Sequence, residues 1–253
     1  MSDARPPRVV CLVPSWTETL IEAGVRVVGR TRYCVHPADS VSDIPVVGGT
    51  KDVDWPKVAA LAPDLVVFDR EENTRAMADS CPYPWVATHV TSVQAMPKAL
   101  EQLAQALDCE GLWHLAERYR SALTVPVTCS HKTLPLLADA GNSELSVLNE
   151  DRPWVYLIWR KPYMTVGSDT FIHSLFIHLG LPLITPGKRY PEVSQDWLAQ
   201  HNPVLLCASE PYPFAGKLQT VRNELHLDAV LIDGEPLCWY GIRSLRFLES
   251  LQG

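Results

Sequence analysis

Long apolar runs are missing from this chain. The stretch Val9-Val10-Cys11-Leu12-Val13 is the apolar start of the sequence and it stops at Pro14. A membrane-spanning helix needs roughly 18 or more apolar residues, and a signal peptide needs a longer apolar core than this. The reading is therefore no membrane insertion and, with Met1 as the native start, a cytoplasmic location. An excess of basic charge is also missing: 22 Lys and Arg stand against 29 Asp and Glu, a net charge of -7. That balance argues against a nucleic-acid partner, which would want a basic face. The seven cysteines, at 11, 34, 81, 109, 129, 207 and 238, form no CxxC pair. An odd number in a chain long enough to build a core reads as reduced thiols packed as small hydrophobes. Gly-rich phosphate loops and zinc-finger spacings are absent as well.

The usual catalytic signatures are equally scarce. Ser15, Ser168 and Ser209 lack the G-x-S-x-G context of a nucleophile elbow. His89, His173 and His178 have no acidic partner that spacing alone can assign, and adjacent Glu71 and Glu72 point apart. The exception is Cys34 with His36, two residues apart, in Tyr33-Cys34-Val35-His36-Pro37. Thiolate and imidazole can ligate a soft metal, and the same pair can serve as nucleophile and base. A turn holding a loosely packed Cys and His explains the same residues without chemistry.

What the chain has is a core and a rhythm. Hydrophobic residues make up 47% of its 253 residues, enough to bury a large interior. Short β-rich runs alternate with helical patterns: strands at 8–13, 25–29, 64–68 and 85–88, and helices at 15–23, 53–61 and 71–79. Ser15 with Glu18 reads as a capping box, and Gly24 closes its helix. A helical pattern then runs from about Ser92 to Leu123, with an interruption near Gly111. Beyond a mixed stretch from 124 to 152, expected as loops, the alternation resumes. Strands are predicted at 154–158, 183–184, 204–208 and 229–232, and helices at 169–179 (capped by Asp169), 194–200, 217–225 and 242–251. Such alternation predicts an α/β fold with parallel sheets. The organisation reads as an N-terminal α/β lobe (1–91), one long backbone helix (92–124) and a C-terminal α/β lobe (125–253). Both lobes are Rossmann-like. LAPDLVVFDREEN in the first is echoed by HNPVLLCASEPYP in the second: helix, Pro, buried strand, then acidic residues.

Polar and aromatic residues gather after the predicted strands, where open α/β sheets bind ligands. Trp159-Arg160-Lys161-Pro162-Tyr163, Ser209-Glu210-Pro211-Tyr212 and Trp239-Tyr240-Gly241-Ile242-Arg243 are such loops, and Trp16 follows the first strand. Aromatic faces there can stack on a flat ligand, while Arg160, Arg243 and Lys51 can hold its carboxylates or amide oxygens.

The segments RVVCLVPSWTETLIEAG, RVVGRTRYCVHPADS, IPVVGGTKDVDWPKVAALAPDLVVF, FIHSLFIHLGLPLI and RYPEVSQDWLAQHNPVLLCAS extend over most of the chain. They resemble the cobalamin- and iron-chelate-binding branch of the class III substrate-binding proteins of ABC transporters. The resemblance implies two lobes closing on a shared cleft. It places Trp16, Tyr33, Cys34, His36, Thr50 and Lys51 on one wall and Trp159, Arg160, Tyr163, Glu210, Tyr212, Trp239, Tyr240 and Arg243 on the other. It assigns Glu71, Glu72 and Glu192 to docking on an ABC permease, a partner that applies if the protein is exported. The ligand it implies is a corrinoid, heme or ferric chelate, with Cys34 or His36 reaching its metal. No further cofactor is required and a monomer is expected. Loss of a native signal would place the protein in the periplasm instead of the cytoplasm. A cytosolic enzyme using Cys34 and His36 is the second reading, and an interaction module that lost its pocket is the third.

Overall fold

A computed structural model describes residues 5–125, 134–135, 147–148 and 151–252. The expected loops between 124 and 152 lie largely outside these residues, as does Cys129. The described chain divides into two compact units. The first takes in 1–90, 95–124 and 240–245, and the second takes in 91–94, 125–239 and 246–253.

The first unit is built on five parallel strands: β1 (Arg8–Cys11), β2 (Arg26–Thr31), β3 (Val46–Gly48), β4 (Leu65–Asp69) and β5 (Trp85–Thr88). Their order is β3-β2-β1-β4-β5, so the chain reverses direction across the sheet between β1 and β4. Such a reversal opens a crevice at the C-terminal ends of the two central strands. Intervening helices are α1 (Pro14–Glu22), α2 (Ala38–Val41), α3 (Trp55–Ala60) and α4 (Arg75–Asp79). The central strands read as continuous apolar runs because helices bury both faces. Val10, Leu12, Val58, Val66, Phe68 and Met77 form one core layer.

Several predicted boundaries shift for identifiable reasons. α1 begins at Pro14, whose missing N–H suits the first helical turn, and no side chain caps it, so Ser15 is not its cap. α3 is capped by Asp54, which accepts from Lys57 N. The helix predicted from Glu71 shrinks to α4, because Asp69 accepts from the Glu71 N–H and Thr74 caps instead.

The stretch expected as one long helix is two: α5 (Met96–Leu107) and α6 (Glu110–Thr124), packed against each other. Asp108 adopts a left-handed conformation (φ 47°) and ends α5 by returning a bond from its N–H to the Ala104 carbonyl. Gly111 does not break the helix. It lets α6 approach Ala23, whose carbonyl oxygen would lie 2.4 Å from any added Cβ.

The second unit holds the sheet β7-β6-β8-β9, with β6 (Trp154–Trp159), β7 (Met164–Thr165), β8 (Val204–Ala208) and β9 (Ala229–Ile232). β6, β8 and β9 are parallel, whereas β7 returns antiparallel to β6. The predicted strand at 183–184 is a single bridge from Leu183 to Trp154. Helices α7 (Phe171–His178), α8 (Gln195–His201), α9 (Leu218–Leu225) and α10 (Glu235–Cys238) complete it, and α11 (Ile242–Ser250) closes the chain. Thr170, not Asp169, caps α7 by accepting from His173 N, while Asp169 accepts from the Arg189 N–H. The two echoed segments are β4 and β8, both interior strands of their sheets.

Candidate functional site

In the first unit the strand-end loops are tied together by one residue that sequence reading did not single out. Asn73 is buried; its amide donates to the Leu12 carbonyl (3.0 Å) and the Thr50 carbonyl (2.9 Å), and its oxygen accepts from Asp69 N (2.9 Å). It thereby fixes the exits of β1, β3 and β4 at the reversal point. Below it runs a buried relay: Trp16 Nε1 donates to Thr88 Oγ1 (2.7 Å), which donates to Asp69 Oδ2 (2.6 Å). Burial pushes Asp69 and Glu72 above the ordinary carboxylate range, partly offset by the Thr88 bond and the Lys51 charge respectively. Tyr240 is buried edge-to-face against Trp16, ring centroids 5.1 Å apart. Burial first, then the charges of Asp69 and Glu72, raise its hydroxyl well above the usual tyrosine range.

The exposed part of this edge is the β2 and β3 exits. Tyr33 is 53% exposed, with the Arg32 guanidinium 5.7 Å from its ring centre. Arg32 grips Asp52 through two bonds (3.1 and 2.8 Å). Lys51 reaches the Glu71 carbonyl (3.0 Å) from an exposed position, Thr50 is half-buried beside it, and so is His36.

The second unit carries its aromatic corner on β6 and β8. Trp159, 47% exposed, stands edge-on to Tyr212 (5.2 Å), which packs on Phe214 (4.6 Å). Behind them the Tyr156 hydroxyl donates to the Glu210 carbonyl (3.4 Å), and Gly234 N donates to Ser209 Oγ (2.9 Å). Only glycine fits at 234: a Cβ would lie 2.8 Å from the Glu210 carbonyl oxygen and 3.0 Å from the Tyr156 hydroxyl. Arg160 is held in a two-pronged pair with Glu224 on α9 (3.1 and 2.5 Å), and Tyr163 donates to the same carboxylate (2.5 Å). Burial, then the Glu224 bond, pushes the Tyr163 hydroxyl up to about 12. The same two donors hold Glu224 below its ordinary range.

Several expected roles change. Trp16 and Tyr240 are core residues of the first unit. Cys34 is buried, within 3.1 Å of both Thr17 Oγ1 and Thr31 Oγ1, and burial raises its thiol above the usual range. In this setting the thiol form is favoured and the sulfur is shielded from the exposed strand edge. No cluster of three or more His, Cys, Asp or Glu suited to a metal occurs among the described residues. Arg243 is committed to the nearly buried Glu18 (2.6 Å). The Glu71 side chain is only 12% exposed and pairs with His89 Nε2 (3.0 Å). Glu72 is likewise half-buried, and Glu192 alone of the three is exposed. Arg160 and Tyr163 brace α9 to the β6 exit. Tyr33, His36, Thr50, Lys51, Trp159, Glu210, Tyr212 and Trp239 stay at strand or helix ends with some exposure. No helix among the described residues is long and apolar enough to cross a membrane.

Residues 9–119 match the family described as periplasmic binding protein. No curated protein matches the chain. Among solved structures, the periplasmic heme-binding protein RhuT from Roseiflexus sp. RS-1 superposes with a TM-score of 0.73 at 17% identity, over 98% of this chain and 97% of that one. The periplasmic vitamin B12-binding protein BtuF of Vibrio cholerae gives 0.70 at 16% identity, over 97% and 95%. The periplasmic heme-binding protein HutB of Vibrio cholerae gives 0.70 at 17%, over 97% of each chain. The chain thus carries a periplasmic-binding-protein signature across its N-terminal residues 9–119 and, over nearly all its length, the fold of these solute-binding proteins.

Proposed function

We propose that the protein binds a metal chelate of the heme or corrinoid type, as the receptor component of an ABC-type uptake system. The side chains assigned to the ligand are Trp159, Glu210, Tyr212 and Trp239, at the strand and helix ends of the second unit. The observation that carries this reading is the Trp159–Tyr212 pair. A large indole left half in water beside a second ring, on a strand exit, is a ready stacking face for a macrocycle. Solved structures of the same fold bind heme and vitamin B12, which supports the choice of ligand class. The reading as an enzyme loses its support with the sealed Cys34 thiol.

The test is a calorimetric titration of the purified protein with hemin, cobalamin, cobinamide and a ferric chelate. At least one should bind at micromolar concentration or tighter, about -8 kcal/mol or more at the threshold. Failure of all four at that level contradicts the proposal.

A further inference from the structure

A recess lies beside the β4 exit, on the flank of the sheet away from Tyr33 and Lys51. It is a cavity of about 590 Å³ along the outer flank of edge strand β5, between α4 and the Gln102 side chain of α5. Its lining comes entirely from the first unit, and none of Tyr33, His36, Thr50 and Lys51 belongs to it. Its volume falls within the roughly 300–1,000 Å³ of small-molecule sites.

One wall is aromatic. Trp85 is 45% exposed and stands edge-on to Phe68, ring centroids 6.0 Å apart. The rim is cationic, with Arg70 and Arg75 both lining the recess. Arg75 shares its guanidinium with Asp79 (2.7 Å). The exposed Arg70 guanidinium has no hydrogen-bond or ion-pair partner among the described residues. Asp69, which also contributes to the lining, is fully buried and accepts from Thr88 and from Glu71 N, and Asp79 is paired with Arg75. The exposed charge that an anion meets at the rim is the Arg70 guanidinium. Gln102, which also lines the recess, donates to the Ala87 carbonyl (3.1 Å) of the edge strand.

We infer that this recess is a separate binding site for a small aromatic carboxylate. The ring would lie against the exposed face of Trp85, which Phe68 supports from the core, with the carboxylate at Arg70. The recess shares Asp69 and Asn73 with the strand-exit network but none of the side chains assigned to the chelate.

The probe is 1-naphthoate, titrated into ¹⁵N-labelled full-length protein and followed by the indole N–H resonances. Saturable binding should shift the Trp85 indole signal, assigned by its loss in Trp85→Leu. Arg70→Gln, an exposed substitution that leaves the core intact, should weaken binding about tenfold, the worth of one charge-assisted hydrogen bond at a half-open site. The cationic analogue 1-naphthylmethylamine should bind at least about tenfold more weakly than the acid. Three results would overturn the inference: no shift of the Trp85 signal at millimolar naphthoate, equal binding of acid and amine, or no effect of Arg70→Gln.

Discussion

Thr88→Val is the sharpest test of how the first unit holds its strand ends. Valine matches threonine in shape, so the change leaves no cavity and isolates the hydroxyl. That hydroxyl accepts from Trp16 Nε1 at 2.7 Å and donates to Asp69 Oδ2 at 2.6 Å, and all three residues are fully buried. Removing it strands an indole N–H and one carboxylate oxygen. Each lost partner costs about 1–3 kcal/mol, and Asp69 can recover part of its share by taking up a proton, so the sum is about 2–4 kcal/mol. At about 2–4 °C per kcal/mol for a chain of this size, the unfolding midpoint should fall by roughly 5–15 °C. Guanidinium unfolding at pH 7, followed by circular dichroism, reads the free energy. Thr88→Ser keeps the hydroxyl and should retain most of the stability. A cycle with Trp16→Phe should show a coupling of about 1 kcal/mol, since the two changes remove the same bond. The relay is refuted if Thr88→Val lies within about 0.5 kcal/mol of the wild type, the scatter of neutral surface changes, or if Ser is as damaging as Val.

Glu72 gives a pH signature. Its folded pKa is raised, so the folded state binds more protons than the unfolded one, and the group's contribution to stability falls as pH rises from about 4 through the raised value. Glu72→Gln should therefore gain on the wild type over that window and then level off, as read by urea midpoints across pH; a constant or inverted difference contradicts the burial argument. Gly241 sits at φ 88° with Thr19 Oγ1 only 2.1 Å from a would-be Cβ, so Gly241→Ala should cost about 2–4 kcal/mol in a denaturation experiment. The buried thiols of Cys11, Cys34 and Cys207 should resist Ellman's reagent in the native protein and react after unfolding. Rapid native labelling of Cys34 would restore it as a nucleophile.

Much of the architecture was legible because parallel strands buried on both faces write themselves as short apolar runs. β8 and β9 fall where the apolar runs predict them, and the αL glycines Gly24 and Gly180 end the helices they follow. The misplacements share a cause: a side chain near a helix start competed with a neighbour. Asp169 went to Arg189 N and Thr170 became the cap; Asp69 took Glu71 N and delayed α4. The two-residue β7 leaves no periodic pattern to read, and the left-handed Asp108 carries no glycine to announce it.

The site was legible only as position after strands, not as exposure. Trp16 and Trp159 both follow apolar strands, yet one is sealed by Thr88 and Tyr240 while the other stands half in water. Which of the two a tryptophan becomes depends on long-range partners, and so does the capture of Arg160 by Glu224 and Arg243 by Glu18. Asn73, the residue that ties three strand exits together, bonds to carbonyls 61 and 23 positions away, which no local motif records.

The chelate-binding account rests most directly on the aromatic corner of the second unit. Titration of wild type and Trp159→Ala with whichever of hemin, cobalamin or cobinamide binds, read by visible absorption, tests it in one comparison. Truncating a stacking anchor of this kind should weaken binding by about 1–3 kcal/mol, roughly fivefold to 150-fold, while thermal unfolding of the free protein stays close to wild type. Equal affinities in the two proteins would contradict the account.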